Sequence, residues 1–218
     1  MSSGYRWTLV DKILMSTRPH LKPDDACFYY LQKDNLGYGR GNRAEANQMI
    51  INFKHDPCRF GPATPQAYYK RQAIREFAGF VMEFFNEREW MFPDGAALIP
   101  IPTSKPRSDE SHDHRMDDLC SIVSGNVPWV TYLPALDTIS DLGKTHAGDV
   151  RRNPEPIARN IAIASPISAP VVVLIDDVLT TGAHFAACKS IVERVDPGSS
   201  VIGLFLSIQV NDEWIDPR

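Results

Sequence analysis

The segment Val171–His184, VVVLIDDVLTTGAH, constrains this chain more than any other. Its five leading apolar residues are mostly β-branched and show no polar alternation, so they predict a strand buried on both faces. A strand of that kind belongs inside a parallel sheet covered by helices on either side. Two adjacent carboxylates, Asp176 and Asp177, end the run, and a loop of small residues opens a helix at Thr181-Gly182-Ala183. In open α/β sheets, ligands sit at this carboxyl edge of the strands.

Elsewhere the chain shows the alternation such a sheet requires. Ala96–Ile101 and Trp129–Leu133 read as strands, Asp113–Val123 and Thr181–Val195 as helices, and Ser200–Ile208 as a last strand. Short Val- and Ile-rich runs separated by helical segments predict a mostly parallel α/β sheet flanked by helices. Ahead of them, Thr64 and Pro65 supply the cap and first turn of a long amphipathic helix. Its apolar stripe is Ile74, Phe77, Val81, Phe84 and Phe85, and Pro93-Asp94-Gly95 closes the unit as a turn.

Residues 1–62 are the least regular and read as an N-terminal extension, with 63–218 as the α/β domain. Within the extension, Gly37-Tyr38-Gly39-Arg40-Gly41 suggests a phosphate cradle, but no clear strand feeds it, so it reads as a surface turn. The polar stretch 137–161 has little periodicity, and a loop that long in a compact domain is usually functional or mobile.

Composition narrows the function classes. The chain has 218 residues and a formal charge of −4, which argues against broad coating of nucleic acid through phosphate contacts. No apolar run approaches the roughly 18 residues of a membrane helix, and no signal core precedes the first charges. A soluble cytoplasmic protein is the expectation. Cys27, Cys58, Cys120 and Cys188 are widely spaced and read as buried small hydrophobes rather than a zinc ribbon. His112, Asp113 and His114 invite a metal reading, but alternate residues of a helix do not share a face and no further ligand lies close by. A solvated polar turn is the favoured reading there.

At the carboxyl edge each residue type has a job. N–H groups at a helix start bind anions, Thr180 and Thr181 add hydroxyl donors, and Gly182 lets the backbone approach a phosphate. Asp176 and Asp177 repel a phosphate but suit hydroxyl groups, or a metal held through water. Sugar hydroxyls beside a phosphate describe a ribose phosphate. No Gly-Lys-Ser/Thr follows, so this is not a Walker loop.

Four apolar residues, two acidic, two apolar, then small hydroxyl residues around a glycine: the segment resembles the signature for phosphoribosyl pyrophosphate (PRPP) of the type I phosphoribosyltransferases. The resemblance implies a mostly parallel twisted sheet flanked by helices, with a small hood. It implies transfer of a phosphoribosyl group from PRPP to a small-molecule nitrogen acceptor, with release of pyrophosphate. Asp176 and Asp177 would hold the ribose hydroxyls and magnesium, the latter through water. Thr180, Thr181, Gly182, Ala183 and His184 would hold the 5-phosphate. Thr103, Ser104, Lys105 and Arg107, after Ile99-Pro100-Ile101-Pro102, resemble the pyrophosphate loop, and 137–161 resembles the catalytic loop, with Lys144, Arg151 and Arg152 as contacts. Asp212-Glu213-Trp214-Ile215 resembles a hood whose indole stacks on a base; simple packing of Trp214 is the alternative. Thr180 stands where enzymes of 6-oxopurines carry an Asp, which argues against that subclass.

Within the family the chain is most similar to ComF-like proteins, which are associated with DNA uptake. Asn47–Lys54, an amphipathic helix and then IPIP follow their arrangement. Three departures stand out: no N-terminal zinc finger, His184 in place of Thr or Ser, and His114-Arg115-Met116-Asp117 in place of Arg-Gly-x-Asn-Gln. They leave a second reading open, a non-catalytic module that senses PRPP or a nucleotide, or serves as an interaction subunit. Family members often dimerise, and a homodimer or another protein partner is left open.

Overall fold

The computed structural model describes residues 5–34, 42–56, 61, 63–141 and 153–210. In chain order the elements are β1 (Thr8–Leu9), α1 (Lys12–Ser16), β2 (Ala26–Asp34), α2 (Asn42–Phe53), α3 (Pro65–Glu87), β3 (Ala96–Pro100), α4 (Arg115–Asn126), β4 (Val130–Tyr132), β5 (Leu136–Thr138), α5 (Pro154–Arg159), β6 (Ile161–Ile163), β7 (Val171–Leu179), α6 (Ala183–Val195) and β8 (Ser200–Val210). A short 3₁₀ turn, Glu89–Met91, follows α3.

The main sheet has the order β1-β2-β8-β7-β3-β4. From β2 to β4 every pairing is parallel, and β1 alone runs antiparallel, along β2. The expected mixed α/β architecture, a mostly parallel sheet flanked by helices, is therefore the observed one. β5 and β6 form a separate antiparallel pair.

Helices cover both faces. Val171, Val173 and Ile175 of β7 pack with α2, α3 and α4, while Val172 and Leu174 pack with Phe185, Cys188, Ile191 and Val192 of α6. That split is the side-chain alternation of a strand buried on both sides. The first layer is held by α3, whose Thr64 Oγ1 accepts the Ala67 N–H at 3.3 Å and whose Pro65 occupies the first turn. Its stripe is buried as expected, with Phe84 edge-on to Phe28 and Trp7 at 5.1 and 5.3 Å. Gly95 turns the chain into β3 at φ +84°, where a Cβ would lie 2.9 Å from the Trp129 carbonyl.

Three local expectations are corrected. β7 does not stop at the two carboxylates; it pairs with β8 as far as Leu179 opposite Ile208. The apolar pattern breaks at Asp176 while the backbone ladder continues, because Asp177 is compensated by cations described below. A strand does precede the Gly37–Gly41 run: β2 carries Cys27-Phe28-Tyr29-Tyr30-Leu31 and lies beside β8 in the main sheet. The run itself lies outside the described residues. The stretch 137–161 is not one loop, since most of β5, all of α5 and the first residue of β6 fall inside it.

Gly203 of β8 lies beneath the Phe185 ring of α6 with no room for a side chain. A Cβ there would lie 2.8 Å from Cys27 Sγ and 2.9 Å from ring carbons of Phe185 and Phe205. Gly203→Ala should lower stability by about 1–3 kcal/mol through overpacking. A urea unfolding midpoint that does not move would show that Phe185 can shift aside.

Candidate functional site

The carboxyl edge of β7 carries the site. Asp177 is 6% exposed and points toward the layer that contains α2 and α4. Two cations meet it there. Arg115, the first residue of α4, donates from Nη2 to Oδ2 at 2.7 Å, and Lys54, just after α2, sits 2.9 Å from Oδ1. Arg115 also binds Asp113, which pairs with Lys70 of α3 at 2.6 Å. Lys70 Nζ donates further to the His55 carbonyl at 2.7 Å. The result is a ladder Lys54–Asp177–Arg115–Asp113–Lys70, with three cations and two carboxylates. Burial alone would raise the Asp177 pKa, but Lys54 and Arg115 hold it below the ordinary carboxylate range.

Asp176 points the other way and is half-buried. Its Oδ1 accepts the Asp177 N–H at 2.7 Å, and no described residue forms an ion pair with it. Burial and the neighbouring Asp177 charge push its pKa well up, to about 7. The adjacent carboxylates thus differ: Asp177 is neutralised from inside the protein, and Asp176 is left to a hydroxyl donor or a cation from outside.

Beyond β7 the chain turns through Thr180 and Thr181 into α6. Thr180 is exposed; Thr181 and His184 are half-buried; Gly182 and Ala183 are buried. Gly182 has φ +82°, and a Cβ on it would lie 2.8 Å from Leu21 Cδ2. The glycine is therefore required by the turn and by the N-terminal segment that crosses it, independently of any ligand. His20 N–H donates to the Thr181 carbonyl at 3.3 Å. Lys189 of α6 pairs with buried Asp25 at 2.5 Å, and buried Arg18 donates to the Gln209 carbonyl at 2.7 Å. Residues 18–25 are thus fastened along α6 and its entry loop.

On the next strand, the loop after β3 is bonded within itself and to α4 and β5. Arg107 donates to Asp117 Oδ1 at 3.0 Å and to the Leu136 carbonyl at 2.5 Å, and its N–H meets Asp137 Oδ1 at 3.1 Å. Lys105 Nζ donates to Ser111 Oγ, and Thr103 Oγ1 donates to the Lys105 carbonyl at 3.1 Å. Ser104 is exposed. Thr103, Lys105 and Arg107 lie in the loop that follows β3, and their polar groups already have partners within the protein.

Lys144, Arg151, Arg152 and Trp214 lie outside the described residues, as does Cys58. Cys27, Cys120 and Cys188 are buried free thiols, and burial raises the pKa of each. Sequence reasoning missed Lys54 and Lys70 as charged partners; Asp113 was noted only in the metal reading and Arg115 only for its motif, neither as a member of this ladder. No protein-family model and no curated protein matches the chain. No helix among the described residues is long and apolar enough to cross a membrane.

Two substitutions separate the carboxylates. Asp176 has its folded pKa raised, so its ionisation costs stability at and above neutral pH, and the cost disappears as pH falls below the unfolded value near 4. Asp176→Asn should therefore raise stability at pH 8, by about 1–2 kcal/mol because the carboxyl keeps some water, and give no gain at pH 4. Asp177→Asn strands two cations and should cost about 3–5 kcal/mol at neutral pH. Thermal melts at both pH values check the pair, and equal effects from the two substitutions would contradict the division of roles.

Proposed function

We propose that this chain binds PRPP at the carboxyl edges of β7 and β3 and transfers its phosphoribosyl group to a nitrogen acceptor, releasing pyrophosphate. The observation that carries the reading is Asp176 in the carboxyl-terminal half of a central parallel strand, which leads through a short turn and a left-handed glycine into a 13-residue helix. A carboxylate for hydroxyl groups stands beside a helix start for a phosphate. The parallel sheet is compatible with the type I phosphoribosyltransferase fold.

In this reading Asp176 accepts hydrogen bonds from the ribose hydroxyls, and Asp177 sets the local field rather than touching sugar. Thr180, Thr181 and the start of α6 hold the 5-phosphate, with His184 as a further donor. The nitrogen lone pair attacks C1 of the ribose, the bond from C1 to the pyrophosphate oxygen breaks, and its electron pair leaves with pyrophosphate. Positive charge grows on the ribose ring and negative charge on the leaving group, so positioning and electrostatics supply the catalysis. The ladder contributes one net positive charge near the departing anion. Magnesium fits this donor set, because it keeps most of its waters and needs only one or two carboxylates besides phosphate oxygens. When bound it would neutralise the pyrophosphate, with Asp176 holding it through water. Lys144 and Arg152 are proposed to close over the reacting centre. The acceptor base stays open.

A second reading is favoured by one observation. Lys105 and Arg107 are already committed within the protein, to Ser111 and to Asp117, Asp137 and the Leu136 carbonyl. A module that holds PRPP or a nucleotide without turnover needs the phosphate and hydroxyl contacts but not a loop that grips pyrophosphate. Calorimetric titration of PRPP, with and without magnesium, into wild type and Asp176→Asn tests both. Magnesium-dependent binding that Asp176→Asn weakens at least tenfold is expected; no binding of PRPP to wild type sinks the enzyme reading, and the same titration with nucleotides then decides the module. Pyrophosphate release over a panel of nucleobases then separates enzyme from module.

A further inference from the structure

The turn into α4 holds a second constellation that the phosphoribosyl reading does not use. His112 Nε2 lies 3.4 Å from Asp117 Oδ2, and His114 Nδ1 lies 3.5 Å from the same oxygen. All three ligand atoms fall within 4.8 Å of one another. The sequence reading set a metal aside for want of a further ligand and because residues 112 and 114 would not share a helix face. Both grounds fail. His112 and His114 precede α4 instead of lying on it, and the first turn of α4 brings Asp117 back beneath them.

We propose that His112, His114 and Asp117 form a site for a divalent transition metal of the zinc class, with solvent as the fourth ligand. Zinc binds imidazole nitrogen and carboxylate oxygen at about 2.0–2.2 Å in a tetrahedron, whose edges are then about 3.3–3.6 Å. The two nitrogen–oxygen separations match such edges. The ligands are also oriented as metal ligands usually are. His112 Nδ1 lies 3.0 Å from the Lys105 carbonyl, which can only accept, so Nδ1 carries a proton and Nε2 is the ring nitrogen that faces Asp117. Asp117 Oδ1 is occupied by Tyr132 OH at 2.7 Å and Arg107 Nη2 at 3.0 Å, which leaves Oδ2 for the histidines. A bare imidazole lone pair against a carboxylate oxygen is unfavourable unless a cation lies between them. His112 is buried while the His114 side chain is 58% exposed, so the site is anchored on one side and open to an ion on the other. Asp109 and Asp118 add negative charge next to His112 and His114.

The rival explanation is a proton shared between His112 and Asp117, an internal ion pair with no metal. Cobalt(II) titration of the chelator-treated chain, without PRPP, decides between them. One equivalent of cobalt should give the intense visible absorption of four-coordinate cobalt, with no sulfur charge-transfer band because no thiol is among the proposed ligands. His114→Gln alters an exposed side chain and should fold normally, yet weaken cobalt binding at least about tenfold. His112→Gln should abolish the spectrum, with folding checked by circular dichroism. Zinc should displace the cobalt, and magnesium should not. Absence of a spectrum in wild type, a weak six-coordinate spectrum, or one unchanged by His114→Gln overturns the proposal.

Discussion

A carboxylate buried at the end of a central strand has to be answered, and the architecture around β7 is arranged to answer Asp177. An isolated charge there would not survive without a large penalty. Arg115 and Lys54 remove that penalty, and each comes from a different helix: the start of α4 and the end of α2. Asp113 and Lys70 extend the pairing to α3. One interaction thus fixes three helix positions relative to the strand edge. A ladder of this kind adds little net stability over an apolar core, but loss of any one member is costly, which makes it a device for specifying geometry.

That geometry sets what the edge can do. With Asp177 paired internally, Asp176 has only the Asp177 N–H as a hydrogen-bond partner among the described residues, and burial and the Asp177 charge raise its pKa. The neighbouring loop after β3 is held by a bond from Arg107 to Asp117 of α4 and by its own bond from Thr103 to the Lys105 carbonyl. The N-terminal segment, fastened by Asp25 and Arg18, supports the turn at Gly182 from the other side.

The parallel sheet was legible because its evidence is local: the VVVLI run, the Ala96 strand and the capped stripe of α3 each follow from short-range pattern. The carboxyl edge was legible for the same reason. Lys54 and Lys70 were not, because nothing in their neighbourhoods separates a cation on a solvated helix face from one that turns inward to a partner more than 40 residues away. β2 was lost to its surroundings, as the Gly-rich run after it drew attention away from five strand-forming residues. For Gly182, sequence supplied one reason and the fold a second: the φ and the Leu21 contact become visible only when the N-terminal segment is in place.

The segment His112–Arg115 joins these two themes. It approaches α4 with alternate residues facing opposite ways: Asp113 and Arg115 enter the Asp177 ladder, while His112 and His114 gather around Asp117 Oδ2. Four consecutive residues therefore serve two networks, and a backbone shift that opens one side must displace the other. Arg107 reinforces the link, since the oxygen of Asp117 that it binds belongs to the same carboxylate the histidines face. The contact of Arg115 with Asp177 is thus tied through the backbone to a turn that contributes no side chain to the proposed sugar or phosphate contacts.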